Sequence, residues 1–304
     1  MSLSAEQEAL VGSVRGVLAR HADSADLWRT LADQIGVAAL PIPEEYGGAG
    51  AGLIESALVL EEVGRALVAV PLLSSLVAAR ATQDPALLER IAAGEVAAVV
   101  FDRGGASVAE PGPVPDAAEA SFVLAVSTER TALVEDATVT PVPALDPNLR
   151  LGRVQIHRST PIVGDAGLAR QALLVGLSAL AVGCAQRGLE MTVSYAKERH
   201  QFGRPIGSFQ ALKHRMADML VLVETSRSAA RAAAAGELAA AAAAAYCTDA
   251  AARVAAETIQ LHGGIAITWE HDAHLVFKRA HALAQLAGPA HLLRREALGA
   301  KVSR

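Results

Sequence analysis

The spacing of apolar and polar positions divides the chain into three parts. Over residues 4–93 the apolar positions recur at helical spacing, which predicts amphipathic helices. Between residues 94 and 162 the apolar runs are short and separated by turn residues, which predicts β-strands. From residue 163 onward helical spacing returns in longer segments. We therefore expect a mainly α protein with three domains, at residues 1–93, 94–162 and 163–304.

Cap and turn signals set the expected ends of the elements. The N-terminal helices are expected at Glu6–His21, Ser24–Gly36, Leu53–Ala66, Pro71–Ala81 and Pro85–Ala93. The middle strands are expected at Val99–Phe101, Ser121–Val126, Ala132–Val134, Thr138–Val142 and Gly152–His157, with a turn at Asp146-Pro147-Asn148. A C-terminal bundle is expected from helices at Gly167–Lys197, Phe209–Ala235, Glu237–Leu261, Trp269–Ala287 and Ala290–Val302.

The composition favours closely packed helices over aromatic-lined pockets. Hydrophobic residues make up 52% of the chain but aromatic residues only 3%, so the apolar bulk is Ala, Val and Leu. The stretch from Ala229 to Ala245 is nearly all Ala, the strongest helix former. We expect a thin helical hairpin there, whose small side chains serve packing within or between subunits.

Charge and cysteine content exclude several classes of protein. The net charge is −5 and the pI about 6.0, and Lys and Arg are dispersed, so no nucleic-acid partner is expected. The longest apolar stretches contain charges, so no transmembrane helix and no membrane partner are expected. The N-terminus has the pattern of a helix cap, and Cys184 and Cys247 are expected to be buried thiols. A cytoplasmic protein is expected.

Two polar motifs at helix ends carry the candidate chemistry. Residues 198–210 read Glu-Arg-His-Gln-Phe-Gly-Arg-Pro-Ile-Gly-Ser-Phe-Gln, a helix end, a Gly-Pro turn and a new helix near Ser208. Its Arg fork can hold a phosphate through two parallel hydrogen bonds. Residues 259–264 read Ile-Gln-Leu-His-Gly-Gly, and the Gly pair lets backbone approach a ligand. Together the motifs suit a dinucleotide pyrophosphate. Singly, each also fits an exposed Arg in a helix-turn-helix or an ordinary Gly cap.

In this order the two motifs resemble the acyl-CoA dehydrogenase family, which has Arg-x-x-Phe-Gly-x-Pro-Ile-x-x-x-Gln and then Gln-x-x-Gly-Gly. The turn Pro-Glu-Glu-Tyr-Gly-Gly-Ala-Gly at 43–50 and the helix at 182–189 are similar to the family's as well. The run Thr-Trp-Glu-His-Asp-Ala-His at 268–274, ending in Lys-Arg-Ala at 278–280, resembles members that act on bulky acyl-CoAs in actinobacteria. The resemblance covers residues 1–90 and 165–304.

The chain departs from the family at its catalytic base. Many members carry a Glu in Tyr-Glu-Gly-Thr after the Gly pair, and the same step here reads Leu-Ala-Gly-Pro, which puts Ala287 at the Glu position. Other members carry the base on the first C-terminal helix, at a position that corresponds to about Leu173. Neither side chain can accept a proton. The resemblance therefore implies that this chain contains no catalytic residue.

The middle of the chain departs from the family too. The family has a longer β-barrel there, with a Thr-Glu-Pro-x-x-Gly-Ser-Asp loop against the flavin. The nearest match here, Ser-Val-Ala-Glu-Pro-Gly-Pro at 107–113, lacks the Gly-Ser-Asp. We expect a reduced β domain that has lost its flavin-ring contacts. The alternative is sequence drift in a loop-rich domain that binds the ring through unrelated residues.

Three further clusters have competing interpretations. His271 and His274 stand at a spacing that suits one metal, but turn hydrogen bonds near Thr268 or an interface role fit them better, and no metal is expected. The pairs Glu44-Glu45 and Glu61-Glu62 are expected to be turn residues and a solvated helix face. The last cluster contains Lys213 and Arg215. Two interpretations are open: one of these side chains contacts phosphate, or it forms an ion pair along its own helix.

The family's dimer shares each FAD between subunits, with one subunit's barrel holding the flavin ring and the neighbour's C-terminal helices holding the ADP end. The resemblance implies that this chain kept the ADP half, at Arg199, Gln201, Phe202, Gln210, Gln260, Gly263 and Gly264. It would then be the non-catalytic subunit of a heteromeric acyl-CoA dehydrogenase, with two copies each of this chain and a homologous full-length subunit.

In such a heteromer the partner would supply the Glu, the substrate would be an acyl-CoA such as a steroid side-chain thioester, and electrons would leave through an electron-transferring flavoprotein. Two alternatives remain open. One is a flavin monooxygenase of the same fold, which needs no Glu. The other is a structural or CoA-binding pseudoenzyme without FAD.

Overall fold

The computed structural model describes residues 3–101, 112–127 and 130–299. The fold is mainly helical, as the sequence predicts, and its first part consists of five helices. Ser4 caps the first helix by accepting from the backbone of Gln7, whose side chain accepts from the Ser4 backbone in return. The five are α1 (Ala5–His21), α2 (Leu27–Ile35), α3 (Leu53–Ala66), α4 (Leu72–Ala81) and α5 (Pro85–Ala92).

The C-terminal part is again helical. Its helices are α6 (Ala166–Glu198), α7 (Gln210–Ala234), α8 (Ala240–His262), α9 (Ala273–Ala287) and α10 (Ala290–Ala297). The Ala-rich segment forms the expected hairpin of α7 and α8, with a left-handed turn at Gly236 (φ 78°). The prediction that the next helix begins at Trp269 was wrong. The Thr268 hydroxyl bonds the Ile265 carbonyl and the Glu270 amide, and this turn delays the helix to Ala273.

The middle part contains a five-stranded sheet. Its strands are β1 (Ala97–Phe101), β2 (Val114–Pro115), β3 (Phe122–Val126), β4 (Thr131–Val142) and β5 (Leu151–Ile162), in the order β1-β3-β4-β5-β2. β1 and β3 are parallel, and the remaining pairs are antiparallel. The two strands expected at 132–134 and 138–142 are one strand, since the register shift around Asp136 is a bulge and not a break. β2 was not predicted, because two residues that include a proline carry no strand pattern.

The chain divides into two compact units. The first, here called the bundle unit, comprises Glu61–Leu67 and the chain from Leu177 onward. The second, the sheet unit, comprises the chain up to Leu60 and Val68–Gly176. The core of the sheet is formed by small and branched side chains, Ala98, Val100, Val114, Ala117, Val123 and Val154. The bundle core relies on Ala, so its helix axes can approach closely.

In the bundle unit, a buried charge network corrects the interpretation of Glu61-Glu62 as a solvated face. Glu62 is buried, and Glu61 accepts from Arg227 Nε at 2.7 Å. Arg227 also donates to Gln186 Oε1 at 2.9 Å and contacts Glu224. Burial alone would lower the pKa of Arg227, but the two carboxylates outweigh it and raise the pKa. Glu61 and Glu62 therefore help to fix helix packing. Their position next to each other in the sequence does not reveal this.

Among the described residues, one helix is long and apolar enough to cross a membrane by length and composition alone. It is α6, and most of its apolar stretch is buried inside the protein. The core helix of a globular protein gives the same result, so this is weak evidence for a membrane span.

Candidate functional site

The first motif folds as a β-hairpin between α6 and α7. Residues His200–Gln201 (β6) pair with Arg204–Pro205 (β7), and the Ile206 amide donates to the Arg199 carbonyl at 2.8 Å. The turn consists of Phe202 (φ 53°) and Gly203 (φ 74°), both left-handed. The Gly-Pro turn expected here was therefore wrong: Arg204 and Pro205 lie in a strand. The motif presents its side chains from a tight hairpin.

The predicted aromatic face of this motif is open to solvent. Phe202 is 89% exposed, with its ring edge-on to Phe209 at a centroid distance of 6.0 Å. The guanidinium of Arg204 lies 4.1 Å from the centroid of the Phe209 ring. Gln210 is the first residue of α7, and its Nε2 lies 2.9 Å from His214 Nε2. Phe202 in the hairpin turn and Gln210 at the start of α7 are thus both exposed.

The second motif forms the C-terminal end of α8. Gln260 is exposed on the last turn, and Gly263 (φ 68°) caps the helix by donating to the Ile259 carbonyl. A short 3-10 helix follows at Gly263–Ile267. A Cβ added at Gly263 or Gly264 would meet no atom within 4 Å. The backbone of the Gly pair therefore faces open space, which is what close approach of a ligand requires.

A ring stack connects the two motifs. Tyr195, on α6, stacks on His262 at the end of α8, with ring centroids 4.5 Å apart and 24° between the planes. The Arg199 amide donates to the Tyr195 carbonyl at 2.9 Å, so Arg199 lies one helical turn beyond the stack. His262 directly precedes Gly263. The stack therefore brings the backbone of the Arg199 motif to the end of the helix that carries the Gly pair.

Arg199 itself is exposed. Within the described part of the chain, its guanidinium makes no hydrogen bond or ion pair, and neither do the side-chain amides of Gln201 and Gln260. Five guanidinium N–H donors and two amides thus remain available for an outside acceptor. This donor set and the open Gly backbone fit the diphosphate of a dinucleotide.

A second cluster of rings follows the Gly pair. His271 lies 4.5 Å from His262 between centroids, Trp269 lies 4.5 Å from His274, and Lys278 Nζ lies 4.4 Å from the Trp269 centroid. Burial lowers the pKa of both His262 and His274. In the described residues no group of three or more His, Cys, Asp or Glu is arranged to hold a metal ion. The histidines instead form ring contacts.

The ion pair of Arg215 differs from the expected one, which lay along α7. Its guanidinium bonds Glu257 of α8 at 2.6 Å, so the pair links two helices. Glu257 lies one turn before Gln260. The pair therefore braces the helix end that carries the second motif, and it engages the Arg215 guanidinium that a phosphate would need.

The two positions of the family's base lie on helices. Leu173 is half-buried on α6, and Ala287 is the last residue of α9. The sequence contains no carboxylate between Gly167 and Leu174. Most of the expected loop at 107–113 lies outside the described residues.

Comparison with known proteins places the chain in a family. The acyl-CoA dehydrogenase N-terminal domain matches residues 4–95, and the acyl-CoA dehydrogenase C-terminal domain matches residues 167–300. Acyl-CoA dehydrogenase IpdE2 of Mycobacterium tuberculosis is 42% identical over 312 residues, which cover 95% of this chain and 96% of that protein. The chain belongs to the acyl-CoA dehydrogenase family.

Two solved acyl-CoA dehydrogenase structures match along the whole chain. A Tcur3481-Tcur3483 steroid ACAD variant is 27% identical, with a TM-score of 0.82 over 97% of both chains. The ChsE4-ChsE5 complex from Mycobacterium tuberculosis is 25% identical, with a TM-score of 0.83 over 98% of this chain and 97% of that chain. The expected fold class is thereby confirmed. Acyl-CoA dehydrogenases are flavoprotein oxidoreductases, so membership implies FAD as the cofactor.

The ring stack is the part of this acyl-CoA dehydrogenase site that the sequence did not predict. The sequence predicted no ring contact for Tyr195, His262 or His271. A usable signal exists: Tyr195 stands four residues before Arg199, and His262 stands immediately before the Gly pair. A ring one turn before Arg199 and a ring next to the Gly pair are where a contact between the two helix ends would form.

Proposed function

We propose that the chain is the non-catalytic subunit of a heteromeric, FAD-dependent acyl-CoA dehydrogenase that desaturates an acyl-CoA between its α and β carbons. The observation that carries the proposal is a contrast within one chain. The side chains of Arg199, Gln201 and Gln260 are exposed and have no protein partner within the described part of the chain, whereas Ala287 and Leu173 stand where the family's base is expected. A chain that acted alone would need a carboxylate at one of them.

Each proposed contact follows from the geometry of its residue. Arg199 forms two parallel charge-assisted hydrogen bonds with the diphosphate of FAD, and Gln260 adds a neutral donor. The open backbone at Gly263 and Gly264 lets a phosphate oxygen approach main-chain N–H groups.

Around the hairpin, Gln201 and Gln210 supply hydrogen-bonding groups, and the exposed face of Phe202 packs on an apolar part of the cofactor or of the partner subunit. FAD, when bound, accepts the hydride from the substrate's β-carbon. This chain's own residues bind and orient its ADP end.

The partner is proposed to be a homologous full-length acyl-CoA dehydrogenase subunit that supplies the Glu, the flavin-ring contacts and the acyl pocket. The likeness to the ChsE4-ChsE5 complex supports a heteromer. The likeness to a steroid ACAD supports CoA thioesters of steroid side chains as substrates. We further propose two copies of each subunit, a cytoplasmic location and an electron-transferring flavoprotein as electron acceptor.

Co-expression of the chain with candidate homologous subunits tests the proposal. The expected product is a complex of equal numbers of the two chains, with half as many FAD molecules as chains and with dehydrogenase activity. Native mass spectrometry measures the subunit composition, and the flavin absorbance of the same sample gives the FAD content. A stable homotetramer of this chain with one FAD per chain would contradict the proposal.

A further inference from the structure

His262 is buried between rings at the point where the two motifs meet. His262 is only 4% exposed, and its Nδ1 lies 2.7 Å from the Thr258 carbonyl oxygen. Its ring contacts Tyr195 at 4.5 Å on one side and His271 at 4.5 Å, tilted by 53°. Its Nε2 is buried and has no hydrogen-bond partner within the described part of the chain. Burial of an unpaired ring nitrogen is costly, so we expect the position of His262 to have a role.

The three rings of the cluster, with His262 included, come from three different segments. Tyr195 belongs to the last turns of α6, which continue directly into Arg199. His271 belongs to the segment between the Gly pair and α9, and its Nδ1 accepts from the Ala273 amide at 3.1 Å. His262 itself ends α8. A change in this one ring therefore moves the helix end behind Arg199 relative to the turn at Gly263-Gly264.

We propose that His262 is a positioning residue that, in its neutral form, fixes the distance between Arg199 and the Gly263-Gly264 backbone and so sets the affinity for the diphosphate. This inference rests on the proposed function, because it assumes that the diphosphate of FAD lies between the two motifs. His262 does not contact the cofactor. It acts through Tyr195, on whose ring it stacks, and through Gly263, the next residue in the chain.

Burial and a neighbouring imidazole make protonation of His262 unfavourable. Burial is the largest cause of the lowered pKa, and His271 lowers it further, while the carbonyls of Thr258 and Met191 favour the charged ring. Tyr195 faces it from α6 as a phenol. His274 lies beyond His271, and Lys278, Asp272 and His271 all act on its pKa through their charges. A proton on His262 would place a buried charge next to a second imidazole, and relief requires the stack to open.

The sign of the pH dependence follows. An ordinary His titrates near pH 6.5, and the folded protein lowers this value, so the neutral stack is intact at neutral pH. As pH falls from about 6.5 through the lower pKa of the folded protein, His262 gains a proton and the stack opens. The FAD dissociation constant should then rise, by up to about tenfold per pH unit for one linked proton.

The test compares wild type with His262→Phe, which keeps an aromatic ring in the stack but cannot titrate. FAD is titrated into the apoprotein between pH 8 and pH 5, about 1.5 units on the acid side of the ordinary His value, and flavin fluorescence gives the dissociation constant. The apoprotein is the flavin-stripped complex of this chain with its co-expressed homologous subunit. His281→Phe is the matched control, since His281 also packs on a ring, Phe277, at 4.3 Å.

Wild type and His281→Phe should lose FAD affinity on the acid side, whereas His262→Phe should keep a flat profile and bind within about threefold of wild type at pH 8, a difference of less than 1 kcal/mol. An NMR titration of the wild-type protein, which needs no variant, should show a lowered pKa for the His262 imidazole. A flat wild-type profile, or the same acid loss in His262→Phe, overturns the inference. An Arg199→Ala protein with unchanged affinity at every pH instead overturns the proposed FAD site.

Discussion

Gly183 of α6 lies against the backbone of Glu61 in α3, so closely that a Cβ on Gly183 would fall 1.9 Å from the Glu61 carbonyl oxygen and 2.6 Å from the Arg65 amide nitrogen. The contact is reciprocal, since a Cβ on Gly64 would fall 2.3 Å from the Leu180 carbonyl oxygen. Two glycines thus let two helix backbones touch in the bundle unit. This crossing anchors α6, the helix that directly precedes Arg199.

Gly183→Ala should therefore be strongly destabilising. Since the clash is with backbone and not with a flexible side chain, the helices must separate, and we expect a loss of about 2–3 kcal/mol in the free energy of unfolding. Urea or thermal unfolding measures it. The matched control is Gly12→Ala, in the interior of α1, where a Cβ would meet nothing within 4 Å. That variant should gain about 0.5–1 kcal/mol. Equal effects of the two substitutions would refute the close approach.

The Glu61–Arg227 pair should contribute far more to stability than an exposed ion pair. Their side chains are only 15% and 16% exposed, and Arg227→Ala would leave the largely buried Glu61 carboxylate, among the described residues, with Arg231 at 3.9 Å as its remaining cationic partner. We expect a loss of about 2–4 kcal/mol, somewhat below or near the range for fully buried pairs. Arg294→Ala is the control, because its pair with Asp249 is 58% and 40% exposed and should lose less than about 1 kcal/mol.

Both cysteines should resist thiol reagents in the folded protein. Cys184 and Cys247 are buried and not in a disulfide, and burial raises the pKa of the Cys247 thiol from 9.0 to about 12. Its thiolate is then rarer by about a thousandfold than that of a free cysteine, before lack of access is counted. Iodoacetamide followed by mass spectrometry should show an unlabelled native chain and two labels after unfolding. Rapid native labelling would mean that α8 opens readily.

Without a partner, the purified chain should be colourless or nearly so and should show no acyl-CoA dehydrogenase activity. The reason is that Ala287 and Leu173 offer no base and that this chain is proposed to hold only one end of FAD. The visible spectrum and a dye-linked dehydrogenase assay measure the two properties. Stoichiometric bound flavin with turnover by the lone chain would favour an independent enzyme.

The helices were predictable because their signals are local. α3 occurs at the predicted residues, and the Ala-rich hairpin follows from helix propensity. The hairpin at 200–205 was not predictable, because its turn requires a left-handed Phe202, a conformation that bulky residues rarely adopt. Similarly, Glu135-Asp136 suggested a loop between two strands, whereas a bulge carries one strand through them. In both cases strand pairing holds a backbone conformation that the residue types alone do not indicate.

For the candidate site, the sequence predicted the two motifs but not what joins them. Which of two distant helix ends meet depends on the packing of α6 against α8, and the Tyr195–His262 stack is a consequence of that packing. The prediction that Glu61 lies on a solvated face was wrong for the same reason, since its partner Arg227 lies 166 positions away in the sequence. Long-range pairs of single residues leave no periodic pattern, so they emerge only from the fold.

The most direct test of the account is an FAD titration of the heteromeric complex that carries Arg199→Ala. Loss of a charge-assisted bond worth about 1.5–3 kcal/mol should raise the dissociation constant about tenfold to a hundredfold. The complex should still assemble, and added FAD should restore part of its activity. Arg199→Lys should recover only part of the affinity, because an ammonium lacks the fork. Arg204→Ala, in the same hairpin, should bind FAD as wild type does. An unchanged dissociation constant for Arg199→Ala would show that this chain does not hold the cofactor.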